Sequence, residues 1–222
     1  MATRWWLCAN IEAQRDRNLW TPAPDQAPTT SPERERLIMR IIAGIYRGRH
    51  LQVLKGGKLR PTSDQLRETL FDVLGLRVEG SMFLDAYAGS GAVGLEALSR
   101  GARRALFLEQ HRPAVQLIRQ NLEALQIESG FQVIKCQAVA GFERLSEEGL
   151  KFDFIFLDPP YAEIREYHHA LRQLGRSTLP LASSIVIVEH SRHCLLEDQY
   201  GSLTRYRLVR HGDAQLAFYR PA

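Results

Sequence analysis

The 222-residue chain is long enough to bury one sizeable hydrophobic core, and its 45% hydrophobic and 24% charged residues are ordinary for a globular protein. Its net charge of +4 permits a nucleic-acid partner without requiring one. No apolar run approaches the roughly 18 residues of a membrane span, no signal peptide is recognisable, and three scattered cysteines argue against a disulfide framework or a zinc site. We therefore expect a cytoplasmic protein with no membrane partner and no metal.

Residues 1–38 differ in composition from the rest of the chain. They contain all three tryptophans and four of the ten prolines, and they lack a sustained hydrophobic period. This composition is typical of a disordered tail. Because an ordered pattern begins at Met39, that residue is also a candidate for the true start of translation.

Residues 39–62 predict a basic β-hairpin and a linker. Residues 40–44 and 50–53 read as two strands that flank a turn. The segment has no acidic residue and six basic ones, which are Arg40, Arg47, Arg49, Lys55, Lys58 and Arg60. It is either a solvated face or a phosphate-binding surface, and the lack of acids favours phosphate contact.

The segment that follows predicts an amphipathic helix. Thr62 and Gln65 have the spacing of a capping box, and the apolar residues Leu66, Leu70 and Leu74 share one face.

Beyond residue 80, strands and helices alternate, which indicates parallel pairing. The predicted strands are residues 82–85, 105–108, 131–136, 152–157 and 184–189, and the predicted helices are 92–100, 113–125, 139–147 and 164–174. Residues 205–210 and 215–219 predict a C-terminal antiparallel hairpin. The expected fold is α/β, a doubly wound, seven-stranded, mostly parallel sheet within one domain spanning residues 63–222.

A glycine-rich turn follows the first of these strands. Gly89, Gly91 and Gly94 have GxGxxG spacing, with a strand before and a helix after them. Asp85 ends the strand and Glu109 ends the next one. An acid beside the turn disfavours the pyrophosphate of NAD but suits a cationic amino group, and Glu109 could bind ribose hydroxyls. This pattern favours S-adenosylmethionine over a dinucleotide.

The sequence Asp158-Pro159-Pro160-Tyr161 follows the strand at residues 152–157. Two prolines stiffen the backbone and direct its carbonyl groups. A carboxylate, fixed carbonyls and an aromatic face together suit a planar base bound through its exocyclic amine. A simple proline-rich turn is the alternative, and the four residues by themselves do not decide between the two.

Four segments carry a resemblance to a known family when they are read together. They are RIIAGIYRGR from Arg40, RPTSD from Arg60, LDAYAGSGAVGLEALSRGA from Leu84 and FLDPPY from Phe156. In this order they resemble the RsmD family of 16S ribosomal RNA (guanine(966)-N2)-methyltransferases, over about residues 39–220. The resemblance implies a Rossmann-like class I methyltransferase that uses S-adenosylmethionine. It also implies 16S ribosomal RNA as substrate, within a partly assembled 30S subunit, and a monomer.

The resemblance also implies roles for particular residues. The catalytic set is Asp158, Pro159, Pro160 and Tyr161. The cofactor set is Thr62, Asp85, Ala86, Gly89, Ser90, Gly91, Glu109, Gln137 and Ala138. The six basic residues of the hairpin and linker would contact RNA. Many class I enzymes have an acid where this chain has Gln137-Ala138, so the adenine contact must come from the Gln side chain or from backbone groups.

Some alternatives stay open at this point. The Asp-Pro-Pro-Tyr sequence would serve adenine N6 as well as guanine N2. An NAD-dependent oxidoreductase and a noncatalytic RNA-binding module are disfavoured by Asp85, Glu109 and Asp158. Glu189, at the end of the strand at 184–189, could be structural or could line the base pocket, and we interpret it as structural.

Overall fold

The computed structural model describes residues 39–53 and 64–222, so the predicted tail at 1–38 and most of the linker lie outside the described residues. The strands are β1 (Met39–Arg40), β2 (His50–Leu51), β3 (Met82–Asp85), β4 (Arg104–Glu109), β5 (Phe131–Lys135), β6 (Phe152–Leu157), β7 (Pro180–Ser191), β8 (Gln199–Tyr200), β9 (Leu203–His211) and β10 (Ala214–Pro221). The helices are α1 (Asp64–Leu74), α2 (Ala92–Ser99), α3 (Arg112–Ala124), α4 (Ala138–Glu147) and α5 (Ile164–Leu174).

The central sheet has the strand order β5-β4-β3-β6-β7-β10-β9-β8. The first five strands are parallel, and β10, β9 and β8 are antiparallel. The predicted α/β sheet with its C-terminal hairpin is thus confirmed. Its eighth strand, β8, has only two residues, too few to give a periodic sequence signal.

Two apolar cores cover the two faces of the sheet. The first packs α1, α2 and α3 against side chains such as Phe83 and Phe107, and the second packs α4 and α5 against Ile155 and Val186. The buried positions of α5, Tyr167, Ala170, Leu171 and Leu174, recur every three or four residues. Helices on both faces make the sheet doubly wound.

The predicted N-terminal hairpin is present, with β1 and β2 antiparallel, and it is fixed to α2. Its strands have only two residues each, so both are shorter than the predicted strands at 40–44 and 50–53. The backbone N–H groups of Ile42 and Ala43 donate to the buried Glu96 carboxylate at 2.8 and 2.9 Å. A Cβ atom at Gly44 would lie 1.8 Å from the carbonyl oxygen of Ser99, so this position excludes a side chain. The hairpin is therefore held at the C-terminal end of α2.

The strand order reverses beside β3, because β4 lies on one side of it and β6 on the other. In open α/β sheets, ligands bind in the crevice at the carboxyl ends of the strands, at such a switch point. The carboxyl ends of β3 and β6 are therefore the place to look for a site. None of the described helices is long and apolar enough to cross a membrane.

Candidate active site

Four carboxylates lie at the carboxyl ends of four adjacent strands. In sheet order they are Glu109 on β4, Asp85 on β3, Asp158 just after β6, and Glu189 on β7. Side chains two residues apart in a strand share a face. The residues two before each acid, Phe107, Phe83, Phe156 and Ile187, all belong to the core under α1, α2 and α3. The four acids therefore share one face of the sheet edge, and we call them the acid row. Asp85 is level with Phe107 and Phe156 and so lies two residues below Glu109 and Asp158.

The glycine-rich turn connects to two members of the acid row. The Gly89 N–H donates to Glu109 Oε2 at 2.9 Å, and the Gly94 N–H donates to Asp85 Oδ2 at 3.0 Å. Gly89 has a φ of +53°, and a Cβ atom there would project into open space. Gly91 has a φ of +81° and caps α2. The turn thus presents bare backbone beside two buried carboxylates.

The Asp85 carboxyl group is almost completely buried, with 1% of its surface exposed. Burial raises its pKa to about 7, the Gly94 N–H opposes this, and the Glu109 charge adds to it. In the described part of the chain, neither Asp85 nor Asp158 forms an ion pair with a Lys or Arg. A cationic ligand group beside Asp85 would therefore meet no competing cation there and would favour the ionised form of the carboxyl group.

The second functional loop is tied down through its backbone. The Pro159 carbonyl accepts a hydrogen bond of 2.7 Å from the buried Tyr167 hydroxyl, and the Pro160 carbonyl accepts one of 2.8 Å from the Glu163 N–H. Tyr161 is 36% exposed, and its hydroxyl donates to Glu189 Oε1 at 3.1 Å. The loop holds one aromatic ring at the mouth of the crevice.

Asp158 lies between Asp85 and Glu189 in the acid row. Burial raises the pKa of the Asp158 carboxyl well above its usual value, and the charges of Glu189 and Asp85 raise it further. A carboxylate with a raised pKa accepts a proton more readily near neutral pH. Asp158 is therefore suited to hold a proton that is released in the crevice.

Glu109 uses both of its oxygens locally. Oε2 accepts from Gly89, and Oε1 accepts from the His111 N–H at 2.7 Å. These bonds fix the carboxylate in one orientation while each oxygen keeps a second lone pair. The predicted ribose contact requires this kind of fixed acceptor.

The remaining predicted cofactor residues differ in their surroundings. Ala86 is buried and donates to the Phe156 carbonyl at 3.0 Å. The Ser90 carbonyl accepts from the Asn121 side-chain amide at 3.0 Å. Gln137 is exposed at the start of α4, and Ala138 beside it is buried. Thr62 lies outside the described residues.

Three of the six predicted RNA-binding residues can be located. Arg47 is exposed. The Arg40 Nε atom lies 3.5 Å from Asp64 Oδ2. The Arg49 guanidinium group donates to the Ala124 carbonyl at 2.6 Å. The other three, Lys55, Lys58 and Arg60, fall between the two described ranges.

Sequence reasoning did not single out Tyr167 or Asn121. Tyr167 orients the Pro159 carbonyl, and Asn121 joins Ser90 to the carbonyl of Gln52 after the hairpin, at 3.1 Å. Asn121 is a polar residue at a position of α3 that the helical period places among apolar, core-facing residues. This position is the signal that could have revealed it.

The fold and the acid row beside a glycine turn define a class I methyltransferase. Two solved structures agree with this fold. The Escherichia coli protein yhhF has a TM-score of 0.70 and 31% identity, over 83% of this chain and 98% of its own. The Thermus thermophilus protein TTHA0928 has a TM-score of 0.70 and 30% identity, over 82% of this chain and 98% of its own.

The chain belongs to the family described as conserved hypothetical protein 95, whose model matches residues 39–220. It is 42% identical over 182 residues to ribosomal RNA small subunit methyltransferase D of Haemophilus influenzae, a match that covers 78% of this chain and 94% of that relative. The resemblance to the RsmD family is confirmed.

Proposed function

We propose that this protein transfers the methyl group of S-adenosylmethionine to the exocyclic N2 of a guanine in 16S ribosomal RNA. The observation that carries the proposal is the acid row, which meets the glycine turn at one end and the Asp158–Tyr161 loop at the other. Membership of the RsmD family supports ribosomal RNA of the small subunit as the substrate.

The residues at the glycine turn fit the cofactor. Asp85 offers a buried negative charge to an amino group, Glu109 offers fixed acceptors to ribose hydroxyls, and Gly89 leaves open space beside the turn. When bound, S-adenosylmethionine supplies an electrophilic methyl group on a positively charged sulfur. Gln137 and the backbone at the start of α4 are our candidates for the adenine contact.

The Asp158–Tyr161 loop prepares the acceptor amine. The Asp158 carboxylate and the Pro159 carbonyl would accept its two N–H groups and thereby direct the nitrogen lone pair into the crevice. The bond from Tyr167 fixes the direction of the Pro159 carbonyl. Because positive charge develops on the nitrogen, acceptors in fixed positions stabilise the transition state. Asp158 then takes the released proton.

The exposed Tyr161 ring would stack on a base that has left its helix, which is worth about 1–3 kcal/mol by analogy with single-strand binding. Arg40, Arg47 and Arg49 would contact phosphates, and we propose the same role for Lys55, Lys58 and Arg60. Such contacts give affinity and register but do not read the sequence.

The substrate context is part of the proposal. We propose that the enzyme acts as a cytoplasmic monomer on a partly assembled 30S subunit. The RsmD relatives, named as methyltransferases of small-subunit ribosomal RNA, support the RNA part of this proposal.

The test is methyl transfer from labelled S-adenosylmethionine to 16S RNA, naked and within partly assembled small subunits. Digestion and mass spectrometry should identify N2-methylguanine, and Asp158→Ala should abolish its formation while cofactor binding persists. A product of N6-methyladenine, or full activity of Asp158→Ala, would contradict the proposal.

A further inference from the structure

Glu189 occupies the position beside Asp158 in the acid row. β6 and β7 pair in parallel with Leu157 opposite Val188, so the next residues along each strand, Asp158 and Glu189, are neighbours across the sheet. Glu189 is only 3% exposed, and the residue paired with it on β10 is the buried Leu216. Glu189 faces the Tyr161 hydroxyl and the Asp158 carboxyl, and two buried carboxyl groups side by side repel each other, which an aliphatic side chain would avoid. This placement calls for a role in the crevice and not in packing alone.

Two adjacent carboxylates match the edge of guanine. Guanine presents two neighbouring donors there, the N1–H and the exocyclic N2 amine, whereas adenine presents an acceptor at N1 beside its N6 amine. If Asp158 accepts from the amine, the neighbouring group meets position 1 of the base. A carboxylate at that position attracts guanine and repels adenine, because it can only accept.

We propose that Glu189 selects guanine by accepting the N1–H of the target base, which revises our interpretation of it as structural. The inference rests on the proposed function, since it requires a base amine bound at Asp158. A carboxylate offers about four acceptor sites, so Glu189 can accept from more than one donor, and the Tyr161 hydroxyl is one such donor.

The bond from Tyr161 gives Glu189 a defined orientation. Its donor hydroxyl lies 3.1 Å from Glu189 Oε1, and its ring lies at the mouth of the crevice. The Tyr161 ring would stack on the face of the base, and the Tyr161 hydroxyl orients the carboxylate that would accept from the edge of the base. The two carboxylates have different roles. Glu189 would recognise the base at N1, whereas Asp158 acts on the reacting nitrogen itself.

The experiment replaces single atoms of the substrate. Small subunits are reconstituted from ligated 16S RNA that carries guanine, 2-aminopurine or adenine at the target position. 2-Aminopurine keeps the exocyclic amine but has an acceptor at N1. We expect the wild type to favour guanine over 2-aminopurine by about tenfold to a hundredfold in kcat/KM, as for one hydrogen bond to a charged group.

Glu189→Gln should bring this ratio close to one, because its amide group can accept from guanine N1–H or donate to N1 of 2-aminopurine. Glu147→Gln, which removes the same charge at the exposed end of α4, should leave the ratio unchanged. S-adenosylhomocysteine affinity and the melting temperature of each variant report on folding. A structural role for Glu189 would change activity on both bases in parallel.

The outcomes separate this inference from the proposed function. Guanine methylation with a wild-type ratio near one, or with a ratio that Glu189→Gln leaves intact, would overturn the role of Glu189 alone. The preference of the wild type for guanine over 2-aminopurine is measured without any variant. It can therefore overturn the inference even if Glu189→Gln misfolds. Failure of the wild type to methylate guanine particles would overturn both.

Discussion

Asp85→Asn should stabilise the cofactor-free protein at alkaline pH and weaken cofactor binding. In the folded state the pKa of Asp85 rises from 3.8 to about 7. Between these values the folded state holds a proton that the unfolded state has lost. Stability therefore falls as pH rises through this window.

The size of the effect follows from the shift. Each pKa unit corresponds to about 1.4 kcal/mol, so ionised Asp85 costs ~4 kcal/mol of folding free energy at pH 8.5. Near pH 4.5, where the folded-state carboxyl is protonated, the cost is ~1 kcal/mol. Asn keeps an acceptor for the Gly94 N–H but adds an amide that needs its own partner. We expect a gain of about 2–4 kcal/mol at pH 8.5 and less than about 1 kcal/mol at pH 4.5.

Urea unfolding of wild type and variant across pH 4.5–8.5 measures this difference, and calorimetry with S-adenosylmethionine measures binding. Loss of one hydrogen bond between charged groups should lower the affinity for S-adenosylmethionine about tenfold or more. Asp153→Asn is the control, because Asp153 also accepts a backbone N–H, from Met82 at 2.7 Å, at the other end of the sheet. A gain that does not grow with pH, or an equal gain in Asp153→Asn, would refute the reasoning.

Tyr161→Ala should lower kcat/KM by about 5-fold to 100-fold through lost stacking, whereas Tyr161→Phe should keep the larger part of the activity; equal losses would contradict stacking. Arg47→Gln removes an exposed positive charge of the hairpin, and it should reduce the salt dependence of RNA binding by about one ion, measured by filter binding at several salt concentrations. Gly94→Ala should lower the free energy of unfolding by about 1–3 kcal/mol, because the new Cβ would lie 2.3 Å from the Phe107 ring; an unchanged urea midpoint would show that the ring can move.

Local sequence was enough to predict the sheet and the two ends of the candidate site. β3 and β6 are apolar runs that stop at Gly or Pro turns, and both have the predicted bounds. β7 and β10, which pair antiparallel, are longer than predicted, because end residues such as Pro180 and Ser191 extend β7 by pairing with neighbouring strands, which the hydrophobic pattern does not show.

Contacts between distant parts of the chain could not be predicted in this way. The bond from Tyr161 to Glu189 joins residues 28 apart, and Asn121 reaches Gln52 across 69 residues. Each of these residues has an ordinary local pattern, so nothing in the sequence nearby marks its partner. The sequence showed that an acid stands at the end of each of these strands. That the four acids share one face of the sheet followed only from the strand register.

α2 begins at the glycine turn and ends under the hairpin. Its N-cap is Gly91, and the Ser99 carbonyl at its last turn accepts the N–H of Ile45 in the hairpin at 2.9 Å. In its middle, Glu96 holds the hairpin backbone and lies 3.9 Å from Arg67, with both side chains fully buried. Eight helical residues span about 12 Å, so α2 acts as a rigid spacer between the two surfaces. With the hairpin on the RNA backbone as proposed, α2 would fix the distance from the bound phosphates to the crevice, where Asp158 and Glu189 would meet the base.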